Sequence, residues 1–399
     1  MKIAIILPSF LPVPAVNGGA VETLAQMFIE QNEKVGNNLN ITVFSPYERK
    51  AEILSGKFTK TKFVWIKSQS ISFICLNFII RVLRRVLKLN INHLDIQIIL
   101  KDIIKGNFDK VVIEGNTRHV LVLSKYINKE KLFFHVHANI INTPNETNDK
   151  IVDAVNKIIT VSQFIKNMVL KNTKSLGDHI NVLRNCTDTH LFNKHLYIDK
   201  RSSLRNKYEI KDEDVVIFFS GRIVREKGII ELFQALKLLP QNMKFKLIVA
   251  GSFGSNFGYK DEKTILAEEL KEISMDFRDK IVYTGYIPGT EMPLLYTISD
   301  IVVTPSICEE AAGLVAIEAM SSGLPLIATN SGGLPEYVNE KCAIIINRDV
   351  NLVKNLALSL EKLIMDRELR EVMGEIGRKH TQQFSIENYF NNLLEIINI

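Results

Sequence analysis

Cysteine is scarce in this 399-residue chain: Cys75, Cys186, Cys308 and Cys342 stand far apart, with no C-x-x-C pair and no Cys/His cluster. That spacing supports neither a disulfide framework nor a zinc site. The opening run, Met1-Lys-Ile-Ala-Ile-Ile-Leu-Pro8, carries one positive charge and is cut by Pro8. It is too short for a secretory signal and reads as a first buried strand, so a cytoplasmic, reducing location is expected. Low-complexity segments and short internal repeats are missing. So is a G-x-G-x-x-G in strand-to-helix context, which argues against a dinucleotide dehydrogenase.

What is present is ordinary for a globular protein: 46% hydrophobic and 24% charged residues. Disorder, collagen and coiled coil are thereby set aside. The length suits two domains, each with its own core. A formal charge of +6 and a pI near 8.9 are compatible with nucleic acid, an anionic substrate or an anionic membrane surface, and do not choose among them.

Short apolar runs alternate with helical periodicity. Residues 3–7 lead through a Pro- and Gly-punctuated loop to a helix over Val21 to Ile29. Further strands are expected at Ile41 to Phe44, Phe63 to Ile66, Lys110 to Ile113, Leu132 to Val136 and Lys157 to Val161. After the charged stretch Asp199 to Tyr208 the pattern restarts with a strand at Val215 to Ser220 and a helix from Gly228 to Leu239. Strands then follow at Phe245 to Ala250, Ile281 to Thr284, Ile301 to Thr304, Leu326 to Thr329 and Ala343 to Ile346. The expected fold is α/β, two doubly wound Rossmann-like domains facing across a cleft. One segment breaks the rhythm: Phe78 to Leu89 interleaves large apolar residues with Arg81, Arg84, Arg85 and Lys88. It is too short and too charged to span a bilayer, and reads either as a surface helix on the first domain or as a membrane-surface contact.

Two constellations carry chemistry. Gly221, Arg222, Lys227 and Gly228 fall in the loop between the second half's first strand and its helix, where backbone N–H groups and two cations suit a diphosphate. Glu310 and Glu318 stand eight residues apart around a loop-to-helix junction. A continuous helix would separate their alpha carbons by roughly 12 Å, against about 5 Å between the carboxyl groups of a retaining glycosidase. Gripping opposite ends of one extended ligand is the better reading.

The segments Ser220 to Gly228, Gly285-Tyr-Ile-Pro288, Ser299 to Ser306, Glu310-x7-Glu318 and Ser331-Gly-Gly-Leu-Pro-Glu336 occur in an order that resembles family-4 retaining glycosyltransferases of the GT-B fold. The first half is similar through Asn17-Gly-Gly-Ala-Val-Glu22, Val136-His-Ala138, Val161 to Ile165 and Val182 to Thr189. The resemblance implies an acceptor-binding domain over 1–190, a nucleotide-sugar domain over 205–380, and a final helix, 381–399, crossing back to the first domain. It implies that Arg222 and Lys227 neutralise the donor diphosphate, Glu310 holds sugar hydroxyls and Glu318 binds the ribose. Gly221, Ala312, Gly313 and Leu314 would line phosphate and sugar, and the Ile287 backbone would meet the base. Gly18 and Gly19 would close on the phosphate, and His137 would face the reacting sugar, with His135 on the same face.

The implied activity is transfer of a hexose from a nucleoside-diphosphate sugar, UDP before GDP, to a saccharide or lipid-linked acceptor in cell-surface polysaccharide assembly. Closure of the domains would bring His137 and the glycine loop onto the reacting centre. A second reading is a non-catalytic partner subunit of an active transferase. No obvious equivalent of a DxD metal motif is found, so no metal and no cofactor are expected; nor is nucleic acid a partner. A site at the inner face of the plasma membrane is expected. Two departures stand out: Arg184-Asn-Cys-Thr-Asp188 lacks the usual glycine, and Ala311-Ala312-Gly313 follows Glu310 where many relatives carry Pro-Phe-Gly or Ser-Phe-Gly.

Overall fold

The computed structural model describes residues 1–36, 39–68, 70–86, 92–254 and 260–398. The chain divides into two compact units, 1–184 with 386–399, and 185–385.

The first unit holds seven parallel strands: β1 (Lys2–Ile6), β2 (Asn40–Pro46), β3 (Thr61–Ile66), β4 (Lys110–Glu114), β5 (Leu132–Val136), β6 (Lys157–Thr160) and β7 (Ile180–Val182), in the order β3-β2-β1-β4-β5-β6-β7. Its helices are α1 (Ala20–Val35), α2 (Arg49–Ser55), α3 (Ile71–Val86), α4 (Leu94–Gly106), α5 (Thr117–Leu123), α6 (Glu146–Asp153) and α7 (Gln163–Lys171). Apolar runs such as Leu132 to Val136 are buried along their whole length, as a strand covered on both faces requires.

The second unit begins with helix α8 (Arg201–Lys207) and alternates β8 (Val215–Ser220), α9 (Ile229–Lys237), β9 (Phe245–Ala250), α10 (Lys260–Ile273), β10 (Ile281–Gly285) and α11 (Met292–Ile298). It continues with β11 (Ile301–Thr304), α12 (Leu314–Ser321), β12 (Leu326–Thr329), β13 (Ala343–Ile346), α13 (Leu352–Met365) and α14 (Arg367–His380). Six parallel strands run in the order β10-β9-β8-β11-β12-β13, and Phe219, Leu247, Val249 and Ile301 fill one face of the sheet against α9 and α13. The last helix, α15 (Ile386–Asn398), belongs to the first unit, where Phe390 stacks on Phe28 of α1 with ring centroids 4.9 Å apart.

Both sheets reverse their winding at one point, between β1 and β4 in the first and between β8 and β11 in the second. In open parallel sheets that switch point, at the carboxyl ends of the strands, is where ligands bind.

The structure departs from the sequence reading in three places. Strand β7 was not expected: its three residues, Ile-Asn-Val, give no apolar run of their own. Strand β4 runs one residue further, to Glu114. The basic segment expected to form a helix from Phe78 starts at Ile71, where Ser70 accepts a hydrogen bond from the Phe73 N–H. Its end, 87–89, lies outside the described residues.

Candidate functional site

In the second unit the switch point is built by two loops. One follows β8, where Gly221 has φ +148° and a short 3-10 turn, Arg225–Lys227, leads to Gly228 at the start of α9. The other follows β11 from Pro305. The loops touch at Gly228, whose φ is +71° and whose added Cβ would lie 1.8 Å from the Pro305 carbonyl oxygen. Only glycine permits that approach. Further along, the Ile307 N–H donates to the Glu226 carbonyl at 3.0 Å.

This contact delivers Lys227 to Glu310: its ammonium donates to Glu310 Oε1 at 2.6 Å, and Ser306 Oγ donates to the same oxygen. The Glu310 backbone is held as well. Its N–H donates to Ser331 Oγ at 3.0 Å, and its carbonyl accepts the Gly333 N–H at 2.7 Å. Gly332, with φ +51°, lies where a Cβ would stand 2.2 Å from that carbonyl oxygen. The segment Ser331-Gly-Gly-Leu-Pro-Glu336 is therefore the brace of the Glu310 loop.

Glu318 sits on α12, half-buried, and accepts a hydrogen bond from the Tyr296 hydroxyl at 2.8 Å. Burial pushes its carboxyl up to about 7, against the opposing pull of the Tyr296 hydrogen bond. Gly313 begins α12 at φ −134°. An added Cβ there would meet its nearest neighbour, Ala316, at 3.4 Å. Neither a left-handed backbone nor a hard clash demands glycine at Gly313, which leaves close approach by a ligand as its reason. Ala312 and Leu314 flank it, Arg222 is exposed in the β8 loop, and Ile287 is half-buried beyond the end of β10. The structure thus gathers Gly221, Lys227 and Glu310 around two touching loops, with Glu318 one helix away.

In the first unit Gly18 (φ +71°) and Gly19 (φ +101°) form the entry to α1. A Cβ on Gly19 would fall 2.1 Å from Glu22 Oε2. Glu22 is 4% exposed, and burial pushes its carboxyl up to about 7 while His137 draws it down. At the end of β4, Glu114 Oε2 lies 2.5 Å from His137 Nε2 and 3.1 Å from His135 Nδ1. Burial opposes charge on Glu114, yet the two imidazoles together hold its carboxyl well below the usual range. Burial and the neighbouring His135 lower the basicity of His137. An ionised carboxylate can only accept, so Nε2 of neutral His137 carries the proton and Nδ1 is the nitrogen able to accept. His135, wholly buried, lies with its ring 3.9 Å from that of His137.

Glu114, His135 and His137 present ligand atoms within 4.8 Å of one another, a donor set that could hold a metal ion. The literal Asp212-Glu-Asp214 is no such site: it lies before β8, at the opposite edge of the sheet, and Asp214 Oδ2 accepts the Lys211 N–H at 2.9 Å. A cavity of about 530 Å³ opens at that same edge. Its charges are matched, with Asp300 pairing Arg201 at 2.9 Å and Arg205 at 3.7 Å.

Sequence reasoning missed Glu114, Tyr296, Ser306 and Ser331. The signal for Glu114 was a carboxylate ending an apolar strand just before Gly115. The missing glycine in Arg184-Asn-Cys-Thr-Asp188 has a plain explanation: Cys186 is buried and is not among the positive-φ residues, so no glycine is needed there.

Residues 200–380 match the model of the family described as glycosyl transferases group 1. The lipopolysaccharide 1,2-N-acetylglucosaminetransferase of Salmonella typhimurium is 31% identical over 294 residues, 72% of each chain. Spore coat protein SA of Bacillus subtilis is 24% identical over 414 residues, 99% of each chain. Among solved structures, Anabaena Alr3699/HepE in complex with UDP-glucose superposes with a TM-score of 0.77 at 17% identity, covering 100% of this chain and 99% of that one.

Proposed function

Since the chain belongs to the glycosyl transferases of group 1, we propose that it is a retaining, metal-independent hexosyltransferase using a nucleoside-diphosphate sugar, with UDP preferred, and a saccharide or lipid-linked acceptor of cell-surface polysaccharide assembly. The observation that carries this is the Lys227–Glu310 pair at the switch point of β8 and β11. It sets a cation for a diphosphate beside a carboxylate for sugar hydroxyls, with Glu318 on the next helix for a ribose. The HepE complex with UDP-glucose and the Salmonella enzyme's polysaccharide context support the choice of donor and acceptor class.

In this reading Lys227 and Arg222 stabilise the negative charge that grows on the diphosphate as the glycosidic bond breaks. Glu310, relieved of part of its pairing with Lys227, accepts from the donor sugar's hydroxyls. Gly313 lets the backbone of Ala312 to Leu314 approach phosphate and sugar. The acceptor hydroxyl attacks from the face the nucleotide leaves, and its proton passes to a diphosphate oxygen, so configuration is retained. From the first unit, Gly18 and Gly19 act on the phosphate side, and His137 accepts a sugar hydroxyl through Nδ1 while Glu114 holds its ring.

The test is thermal stabilisation by a series of UDP- and GDP-sugars, followed by their hydrolysis with and without prior chelation. Lys227→Ala and Glu318→Ala are expected to lose the stabilising shift, and His137→Ala to keep it while losing turnover. Hydrolysis should survive chelation; loss of activity with EDTA and its rescue by zinc would instead put a metal on Glu114, His135 and His137. If no nucleotide sugar binds or turns over, the transferase reading fails and a non-catalytic partner subunit takes its place.

A further inference from the structure

Helix α3 presents the wrong residues to water. Phe73 and Ile80 are buried, and the Leu94 N–H donates to Asn77 Oδ1 at 2.9 Å, so this face is fixed against the start of α4. On the opposite side Ile71, Ile74, Phe78, Val82 and Val86 recur at intervals of three and four, one stripe of a helix. They are exposed, at 82% for Ile71, 62% for Phe78 and 69% for Val86. Arg81 and Arg85 are exposed along the border of that stripe. Surface helices ordinarily turn their polar side outward; here the outward side is apolar and edged with cations.

Charge selects the occupant. Between Glu52 and Asp95 there are eight lysines and arginines and no aspartate or glutamate. A second copy of the chain would set this acid-free stretch against itself, like charge facing like. A transmembrane role is excluded by length: the 16 residues of α3 reach about 24 Å, short of a hydrocarbon core of about 30 Å, and no described helix is long and apolar enough to cross a membrane. An apolar stripe bordered by arginines suits a helix lying in the interface of an anionic bilayer, with its guanidinium groups among the phosphates.

We propose that α3 is the surface by which this protein docks on an anionic phospholipid bilayer, through Ile74, Phe78 and Val82 in the acyl boundary and Arg81 and Arg85 at the headgroups. This stands on the surface of the first unit and does not depend on the donor reading.

The experiment is co-sedimentation of the full chain with vesicles of phosphatidylcholine alone and of phosphatidylcholine mixed with phosphatidylglycerol. Binding is expected to the mixed vesicles and to weaken with salt. The double variant Phe78→Glu, Val82→Glu should lower the partition coefficient by about tenfold or more. Arg81→Gln with Arg85→Gln should lower it by about tenfold. All four positions are exposed, so circular-dichroism melting should be unchanged, which separates lost docking from lost folding. Equal binding to both vesicle types, or binding indifferent to these variants, overturns the proposal. So does a lipid-free dimer in sedimentation equilibrium that Phe78→Glu dissociates, which would make α3 a contact between copies.

Discussion

Glu318 is a residue whose own stability is set against its use. Its carboxyl is raised from 4.5 to about 7 by burial. Between those values the folded chain keeps a proton that the unfolded chain has lost. Stability therefore falls as pH rises through that window, and the full cost is present above it. The shift corresponds to roughly 3 kcal/mol. Glu318→Gln, which keeps the shape without the charge, should raise stability by about that amount near pH 8 and leave it unchanged near pH 4, as read by urea unfolding. The same variant should bind donor more weakly, since an amide offers one acceptor oxygen where a carboxylate offers two. If Glu318→Gln lowered stability at alkaline pH, the carboxyl would be ionised in the folded chain and the burial argument would fail. At this scale the sequence showed which acids stand out, but not their partners: Tyr296 lies 22 positions from Glu318 and Glu114 lies 23 from His137. Contacts of that separation depend on which strands become neighbours, and no local pattern carries it.

At the level of elements, what decides the site is the meeting of the β8 and β11 loops. Gly221 and Gly228 both have positive φ, but only Gly228 faces an immovable backbone atom, the Pro305 oxygen, while an added Cβ on Gly221 would meet nothing within 4 Å. Gly228→Ala should therefore destabilise the second unit by roughly 2–4 kcal/mol and displace Lys227, whereas Gly221→Ala should cost only about 1 kcal/mol of backbone strain. Urea unfolding together with nucleotide binding checks this, and equal costs for the two variants would show that the loops part easily. Strands such as Val215 to Ser220 and Phe245 to Ala250 were readable to the residue because their apolar runs are continuous and bounded by turn residues. The start of α3 was not, because Ile71 to Asn77 carries no charge to mark a polar face and reads as apolar throughout. Its exposure emerges only when the neighbouring α4 is in place.

For the whole molecule, the chain order and the units differ at the carboxyl end. The chain leaves the second unit after Ser385, and α15 completes the first with buried Ile386, Tyr389, Phe390, Leu393 and Ile397. Burying a large apolar side chain contributes about 1.5–3 kcal/mol, so removing five of them exceeds the net stability of most domains, which is about 5–15 kcal/mol. Deleting residues 386–399 should then unfold the first unit, or leave it compact but unstable. The second unit has its own core and keeps every atom of the Lys227, Glu310 and Glu318 cluster. It should retain a cooperative transition in calorimetry. A nucleotide sugar at about one hundred times its Kd should still add about 2.7 kcal/mol to that transition, and should add nothing to the first unit's transition in the intact chain if the donor is held by the second unit alone. A donor shift that disappears with residues 386–399 would mean that the first unit supplies much of the binding energy, and the glycine loop at Gly18 and Gly19 would be the first place to look for it.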